Sequence, residues 1–344
     1  MARSAFIVGG TGQIGRAVAL RLAERGWNVV VAGRDPAHLP PELDDAGVRF
    51  ATVDRSAPGA LEEALGAGTD VVVDVIAFTA EDARQLGALT GRIGSVVAVS
   101  SAAVYADDSG RSLDTQAEDF PDLPVPITER QRTVEAGEAT YATRKVAMER
   151  TLLAGSLPTT IVRPCAVHGP GSRAPRELHF VQRALDGRRY VPLAYRGASR
   201  FHTTSVENLA ELIWLAAERP GTRIVNCGDP DAPTALEIAR AVAHALDHEW
   251  TEVLLPGPPR GPVGETPWTG PKPFILDMLE AELELRYRPV TRYQKAVEMT
   301  CRWLVATLGD RDWRTAFPDA VEHLGPLFDY DAEDASLRAL ADGG

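Results

Sequence analysis

An α/β fold with a doubly wound parallel sheet and a smaller, interleaved C-terminal part is what this chain predicts, and three observations carry the reading. Short, continuous apolar runs alternate with stretches of helical periodicity through the first half, as strands buried on both faces require. The first run, Ala5-Phe6-Ile7-Val8, leads straight into Gly9-Gly10-Thr11-Gly12-Gln13-Ile14-Gly15. Far downstream, Tyr141 and Lys145 stand four residues apart in a helical pattern, which puts both on one face.

The elements follow in order. After the glycine loop, Ile14, Val18 and Leu22 repeat at intervals of four, with Gly26 as a stop. Asn28 to Ala32 reads as the second strand. Strand, glycine loop, helix, strand is the opening of a Rossmann-type dinucleotide-binding fold. Gly9 and Gly12 let the backbone turn and approach a pyrophosphate at the helix N-terminus, and Gly15 lets helix and strand pack closely. Val71 to Ile76 and Ser95 to Val99 are further buried strands, with Thr160 to Val162 and Arg223 to Val225 as shorter ones. A helix from about Ala139 carries Tyr141, Lys145, Met148 and Leu152 on one stripe and closes near Gly155. That stripe has a plain alternative: a core-facing helix whose polar members happen to match a motif.

The predicted organisation is a dinucleotide-binding domain of residues 1–165 plus a return at about 201–228. A substrate-binding domain comes from 166–200 and 229–344, with ligand between the two at the C-terminal ends of the strands. Pro256 to Pro273 reads as a loop and the acidic end after Asp329 as a loosely held tail.

Composition narrows the function classes. The chain has 344 residues, of which 44% are hydrophobic, enough for an ample core. No run approaches the ~18 apolar residues of a membrane span, and the early first strand leaves no room for a signal peptide. Cys165, Cys227 and Cys301 are isolated, without metal or redox spacing, so the expectation is a reducing cytoplasm and no metal. His168, His179 and His202 have no metal spacing either. A formal net charge of −12 argues against nucleic acid or an anionic membrane as partner. The segment from Arg173 to Arg200 runs the other way, with arginines at 173, 176, 183, 188, 189, 196 and 200 against Glu177 and Asp186. Either it binds an anionic substrate or it is a solvated face pairing with the acidic C-terminal part.

The motifs together resemble the extended short-chain dehydrogenase/reductases, in the NAD-dependent epimerase/dehydratase family. The resemblance runs from Phe6 to about Leu304. It takes in the glycine loop, Asp54, Ser100-Ser101-Ala102-Ala103-Val104-Tyr105 and Pro126-Ile127-Thr128-Glu129. It continues through Tyr141 to Lys145, Arg163-Pro164, His168-Gly169-Pro170-Gly171, Val206 to Ala210 and Asn226-Cys227-Gly228. It implies that Ser101 holds the reacting oxygen, Tyr141 transfers the proton, and Lys145 holds the nicotinamide ribose and lowers the Tyr141 pKa. It implies cofactor contacts from Gly9, Thr11, Gly12, Gln13, Ile14, Gly15, Arg34, Asp54, Arg55, Ala77, Tyr141, Lys145 and Pro164. Substrate contacts fall on Ser101, His168 and Arg200. Asp54, which would approach the adenine, has a solvated turn aspartate as its alternative.

Departures from the family pattern matter. Dehydratases carry Asp-Glu after the catalytic hydroxyl, where this chain has Ala102 and Ala103, so that elimination chemistry is not expected. Ala166, Asn208 and the shifted Arg200 weaken the case for a nucleotide-sugar substrate. The long segment from Asp107 to Glu138 is a candidate lid. At the end of the second strand Gly33 takes the usual acidic position and Arg34 follows, favouring NADP; Asp35 next to it keeps NAD as the alternative. The function expected is an NADP-dependent reductase or dehydrogenase acting on a carbonyl/alcohol pair of a small, anionic substrate. The alternatives are an NAD-dependent sugar epimerase and a non-catalytic cofactor sensor or RNA-binding protein. Ala142, Val146 and Leu153 form a second apolar edge on the Tyr-Lys helix, and with it comes the expectation of a homodimer.

Overall fold

The computed structural model describes residues 2–116 and 119–342. They divide into two compact units. The first comprises Met1–Cys165, Val206–Gly228 and Leu276–Val290, and the second Ala166–Ser205, Asp229–Ile275 and Thr291–Gly344.

The first unit is built on a seven-stranded, wholly parallel sheet. In chain order its strands are β1 (Ser4–Val8), β2 (Asn28–Gly33), β3 (Arg49–Thr52), β4 (Thr69–Asp74), β5 (Ile93–Val99), β6 (Thr159–Pro164) and β7 (Arg223–Cys227). In space they run β7-β6-β5-β4-β1-β2-β3. This is the Rossmann-type order, with its topological switch point between β1 and β4. The central strands are apolar because both faces are covered: Val71, Val72 and Val73 are fully buried. One face packs Phe6, Val8, Val72, Val96 and Ile161 against Leu86, Met148 and Leu152. Helix α1 (Gln13–Glu24) buries Val18 and Leu22, and Gly26 just beyond it takes φ of +78°.

The glycine loop divides its labour in a way the spacing alone does not show. Gly9 has φ of +81°, a conformation that favours glycine. A Cβ on Gly10 would sit 2.4 Å from the Cβ of Val31, and one on Gly15 would sit 2.3 Å from the carbonyl oxygen of Gly9. Gly15 thus lets α1 lie directly on the loop, as expected, and Gly10 lets the loop lie on β2. Gly12 differs, since its Cβ would meet nothing nearer than 3.6 Å.

The segment Leu276–Val290 also folds with the first unit, and no hydrophobic pattern announces it. Its tie is a side chain: the Asn226 amide donates to the carbonyls of Ile127 (3.0 Å) and Asp277 (3.1 Å). The stretch from Asp107 to Glu138, whose residues 117 and 118 lie outside the described residues, is tied together at its start. Buried Asp107 accepts from the backbone N–H of Ser109, Arg111 and Asp122 and from the Arg111 guanidinium. Although burial opposes it, these donors hold the carboxyl down at about 2. Ala142 and Val146 are buried and Leu153 packs on the core, so the edge that suggested a dimer is already covered within the chain.

The second unit packs helices Leu178–Leu185, Ala235–Ala245 and Tyr293–Leu308 around an aromatic core in which Phe180 stacks on Trp268 at 5.7 Å. Two short parallel pairs accompany them, Ala166–His168 with Thr203–Ser205 and Tyr190–Leu193 with Thr251–Leu254. The segment from Pro256 to Pro273 holds no regular helix or strand, as expected. The acidic end is a correction to the loose tail. Tyr330–Asp342 is a helix, and Glu333, 1% exposed, pairs with the equally buried Arg183 and with Arg188. Arg188 also pairs with Asp334, and Arg173 with Asp319 at 2.6 Å. Three of the seven clustered arginines therefore face the acidic C-terminal part.

Two outcomes follow for stability. Glu333→Ala leaves Arg183 buried without its counter-charge, and the urea midpoint should fall by the equivalent of about 3–5 kcal/mol. Gly15→Ala forces a Cβ into backbone and should cost roughly 1–3 kcal/mol or more. Gly12→Ala, measured beside it, should cost under about 1 kcal/mol.

Candidate active site

The helix Tyr141–Leu153 begins where Thr140 caps it: the Thr140 hydroxyl accepts from the N–H of Thr143, in a reciprocal capping box. That start puts Tyr141 in the first turn, where the residue is 49% exposed, and Lys145 one turn deeper, where it is buried. The ammonium of Lys145 donates to the carbonyls of Ala77 (2.7 Å) and Val99 (2.9 Å). These carbonyls lie just beyond β4 and at the end of β5, adjacent parallel strands. Desolvation brings the Lys145 pKa down to about 8, against the opposing pull of Asp74, Glu149 and Asp82.

Ser101 follows β5 and caps the turn Ala102–Val104, its hydroxyl accepting from the N–H of Ala103 at 3.1 Å. It also stands close enough to the Tyr141 phenol to favour the phenolate. Ser101, Tyr141 and Lys145 are thus brought together by one strand end and one helix start. Desolvation raises the Tyr141 pKa, with Ser101 opposing. The Lys145 Nζ lies 5.9 Å from the Tyr141 ring centroid and is committed to two carbonyls. Phe78 flanks the pair, its ring 5.4 Å from that of Tyr141.

A buried polar network braces this corner; Tyr105, Glu129, Arg163 and Asn226 lie in motifs already picked out in the sequence, and Glu149 does not. Glu149, one turn past Lys145, forms a two-point pair with Arg163 on β6, with Nε to Oε1 at 2.9 Å. The Arg163 guanidinium lies 5.0 Å from the Tyr105 ring centroid. The Tyr105 hydroxyl donates to the Asn226 side chain at 2.6 Å, and the N–H of Asn226 donates to Glu129 at 2.7 Å.

The residues expected to hold the dinucleotide can be tested against the structure. Gly12 is the N-cap of α1, with no side-chain cap and no acidic residue in the first turn, so this helix end suits an anion. Gln13 and Ile14 open the helix and Thr11 is half-buried beside them. Ala77 is buried with its carbonyl on Lys145, and Pro164, also buried, ends β6. The residues present fit a dinucleotide phosphate. Arg34 is exposed, while Asp35 caps the turn Pro36–His38 by accepting from the N–H of Ala37 at 2.9 Å. Asp54 is an exposed turn aspartate that accepts from the N–H and hydroxyl of Ser56, which lower its pKa. Arg55 is occupied inside the unit, donating to Asp74 at 2.8 Å and to Gln85.

The two proposed substrate contacts besides Ser101 belong to the second unit. His168 is buried, with Nε2 2.9 Å from Asp229 and its ring 4.9 Å from that of Tyr293. Burial raises the Asp229 pKa, but His168 and two further donors hold it at about 2. Arg200 is exposed and donates to the carbonyl of Ala232 at 3.0 Å. His179 is buried and its pKa lies well below the ordinary value, through desolvation and then Arg183. Among the described residues no group of three or more His, Cys, Asp or Glu could hold a metal ion, and no helix is long and apolar enough to cross a membrane.

Known proteins agree with this architecture. The chain is 29% identical over 255 residues to a protein named ceramide reductase from Caulobacter vibrioides, covering 73% of each. Its fold is similar to that of an epimerase from Methanothermobacter thermautotrophicus (TM-score 0.67, 17% identity, 92% of this chain and 94% of that one). It is similar too to a UDP-N-acetylglucosamine 4-epimerase from Methanobrevibacter ruminantium (TM-score 0.68, 17% identity, 89% and 99%). Residues 5–228 match a single family throughout, so the chain belongs to the NAD-dependent epimerase/dehydratase family of enzymes.

Proposed function

We propose that the protein is an NADP-dependent reductase or dehydrogenase that interconverts a carbonyl and an alcohol. The observation that carries this is the grouping of Ser101 at the end of β5 beside Tyr141 at its helix start, with Lys145 buried one turn away on two carbonyls. When bound, the nicotinamide supplies hydride to the carbonyl carbon or accepts it from the alcohol. The chain's own groups handle the oxygen. The Ser101 hydroxyl orients it, and Tyr141 Oη delivers a proton to it as general acid. A phenol, with its ordinary pKa near ~10, carries its proton at neutral pH and can give it up in reduction. Lys145, its ammonium held on two carbonyls, places a cation behind the phenolate that remains.

Reduction rather than epimerisation is favoured by the similarity to a protein named for a reductase, while Ala102 and Ala103 in place of the dehydratase Asp-Glu pair argue against elimination. NADP is supported by the end of β2. Gly33 is kept small by Phe50, whose ring would lie 3.2 Å from a Cβ there, and the Asp35 carboxylate is engaged in capping. Arg34 stands next to them as the cation for a 2′-phosphate. An anionic group on the substrate rests on Arg176, Arg189, Arg196 and Arg200, since the other three clustered arginines pair with C-terminal acids. A homodimer and a cytoplasmic setting stay part of this reading.

The test is stoichiometric consumption of added NADPH with a panel of carbonyl substrates. Release of bound NAD on denaturation, with sugar-nucleotide turnover and no net NADPH loss, would favour the epimerase instead. Tyr141→Phe should keep the fold and cofactor binding while turnover drops ~10²–10⁴-fold; parental turnover in that variant would overturn the proposal. Arg34→Ala should lose about 1.5–3 kcal/mol of NADPH binding and leave NADH affinity unchanged, and equal parental affinity for both cofactors would point to Asp35.

A further inference from the structure

Lys145 cannot hold its place by itself. Its ammonium sits in a buried site whose walls are peptide carbonyls, and one of them, that of Ala77, belongs to a turn rather than to a strand. What closes that turn is Asp74, the last residue of β4, which is wholly buried. One carboxylate oxygen accepts the N–H groups of Ile76 (3.0 Å) and Ala77 (2.7 Å), and the other accepts Arg55 Nη1 at 2.8 Å. Residue 77 is therefore gripped at its amide by Asp74 and offers its carbonyl to Lys145.

A neutral Asn or Ser closes such a turn as well, whereas burying a carboxylate is costly. Desolvation raises the Asp74 pKa, and Arg55 with the two N–H groups opposes that rise. The buried charge needs a role beyond turn closure, and Lys145 is the cation on the far side of the turn. We propose, on the basis of the Ser-Tyr-Lys reading above, that Asp74 is a positioning residue for Lys145. It fixes the carbonyl that seats the ammonium and supplies the negative charge that keeps the seated group protonated. Arg55 aligns the Asp74 carboxylate and, as a cation, itself opposes the ammonium.

Every charged group facing Lys145 enters the balance. Asp74 at the end of β4, Asp82 on the helix Ala80–Ala88 and Glu149 on the same helix as Lys145 favour the ammonium. Arg55, following β3, and the burial of the site oppose it. Asp74 is the foremost of the favourable charges. Removing it should lower the Lys145 midpoint, and removing Arg55 should raise it.

The sequence makes a direct measurement practicable, since it contains three lysines, Lys145, Lys272 and Lys295. Protein labelled with ¹³C at the lysine ε-carbons would be titrated by NMR, with Lys145→Met identifying the resonance. In the parent the Lys145 midpoint should lie near 8. Asp74→Asn should move it down by about one pH unit or more, the scale of a lost neighbouring charge, and Arg55→Met should move it up. Opposite signs in two variants of one ion pair are not produced by loosened packing. Should Asp74→Asn fail to fold, the rise in Arg55→Met alone decides, and an unchanged or lowered midpoint there overturns the proposal. Midpoints that stay put, or move the same way in both variants, overturn it too. The same variants assayed for turnover separate this inference from the reading beneath it. Shifted midpoints with unaltered turnover uphold Asp74 as the seat of Lys145 and reject Ser-Tyr-Lys chemistry.

Discussion

A single ammonium sets the geometry of the catalytic corner. Lys145 carries three donors and no acceptor, and because it is buried its charge is met by protein oxygens. Two carbonyls answer, from Ala77 and Val99. They can do so together because β4 and β5 are parallel neighbours in register, Asp74 beside Ala98, and so finish at one level. The helix Tyr141–Leu153 is thereby held to the sheet by a charge as well as by Met148 and Leu152. Tyr141 is then placed one turn up, at the rim, and Ser101, two residues beyond Val99, is brought up to it. Moving the ammonium would move all three.

The glycine loop applies a second constraint of a different kind, contact between backbones. Gly10 against β2 and Gly15 against Gly9 are close approaches in which any side chain would displace main chain, so they bind β1, β2 and α1 into one rigid corner. Gly12 leaves the end of α1 bare, without a capping side chain. Rigid packing behind and an uncapped helix end in front give the loop its two functions, and different glycines carry them.

How much of this was readable beforehand depended on the kind of signal. β1, β4 and β5 declared themselves because strands buried on both faces are apolar throughout. The Tyr141–Lys145 pair declared itself because four residues is one helical turn. What stayed hidden involves partners remote in sequence. Pairing of the Arg173–Arg200 cluster with the acidic C-terminal part was one of two open readings, but which carboxylate meets Arg183, or that Glu149 meets Arg163, waits on the fold, and Tyr330–Asp342 looked like a tail for that reason. Leu276–Val290 is drawn back by an amide on Asn226, a contact that no hydrophobic period encodes. Periodicity marked Ala142 and Val146 as an apolar edge but could not say that the chain's own core covers it. Spacing likewise placed the ammonium near Tyr141 but not where its donors point.

The order of the strands has a bearing on how the molecule is made. β6 is buried throughout its length in the finished sheet, between β5 and β7. Yet β7 is Arg223–Cys227, and the chain builds Ala166–Ser205 of the second unit before reaching it. During synthesis, which runs N-terminal first, the sheet therefore emerges with one inner strand unpaired along a whole side. Such an edge is an open template for pairing with another chain. The interleaving that completes the enzyme also prolongs its exposure on the ribosome, and a chaperone that shields apolar edges would have its clearest work in that interval.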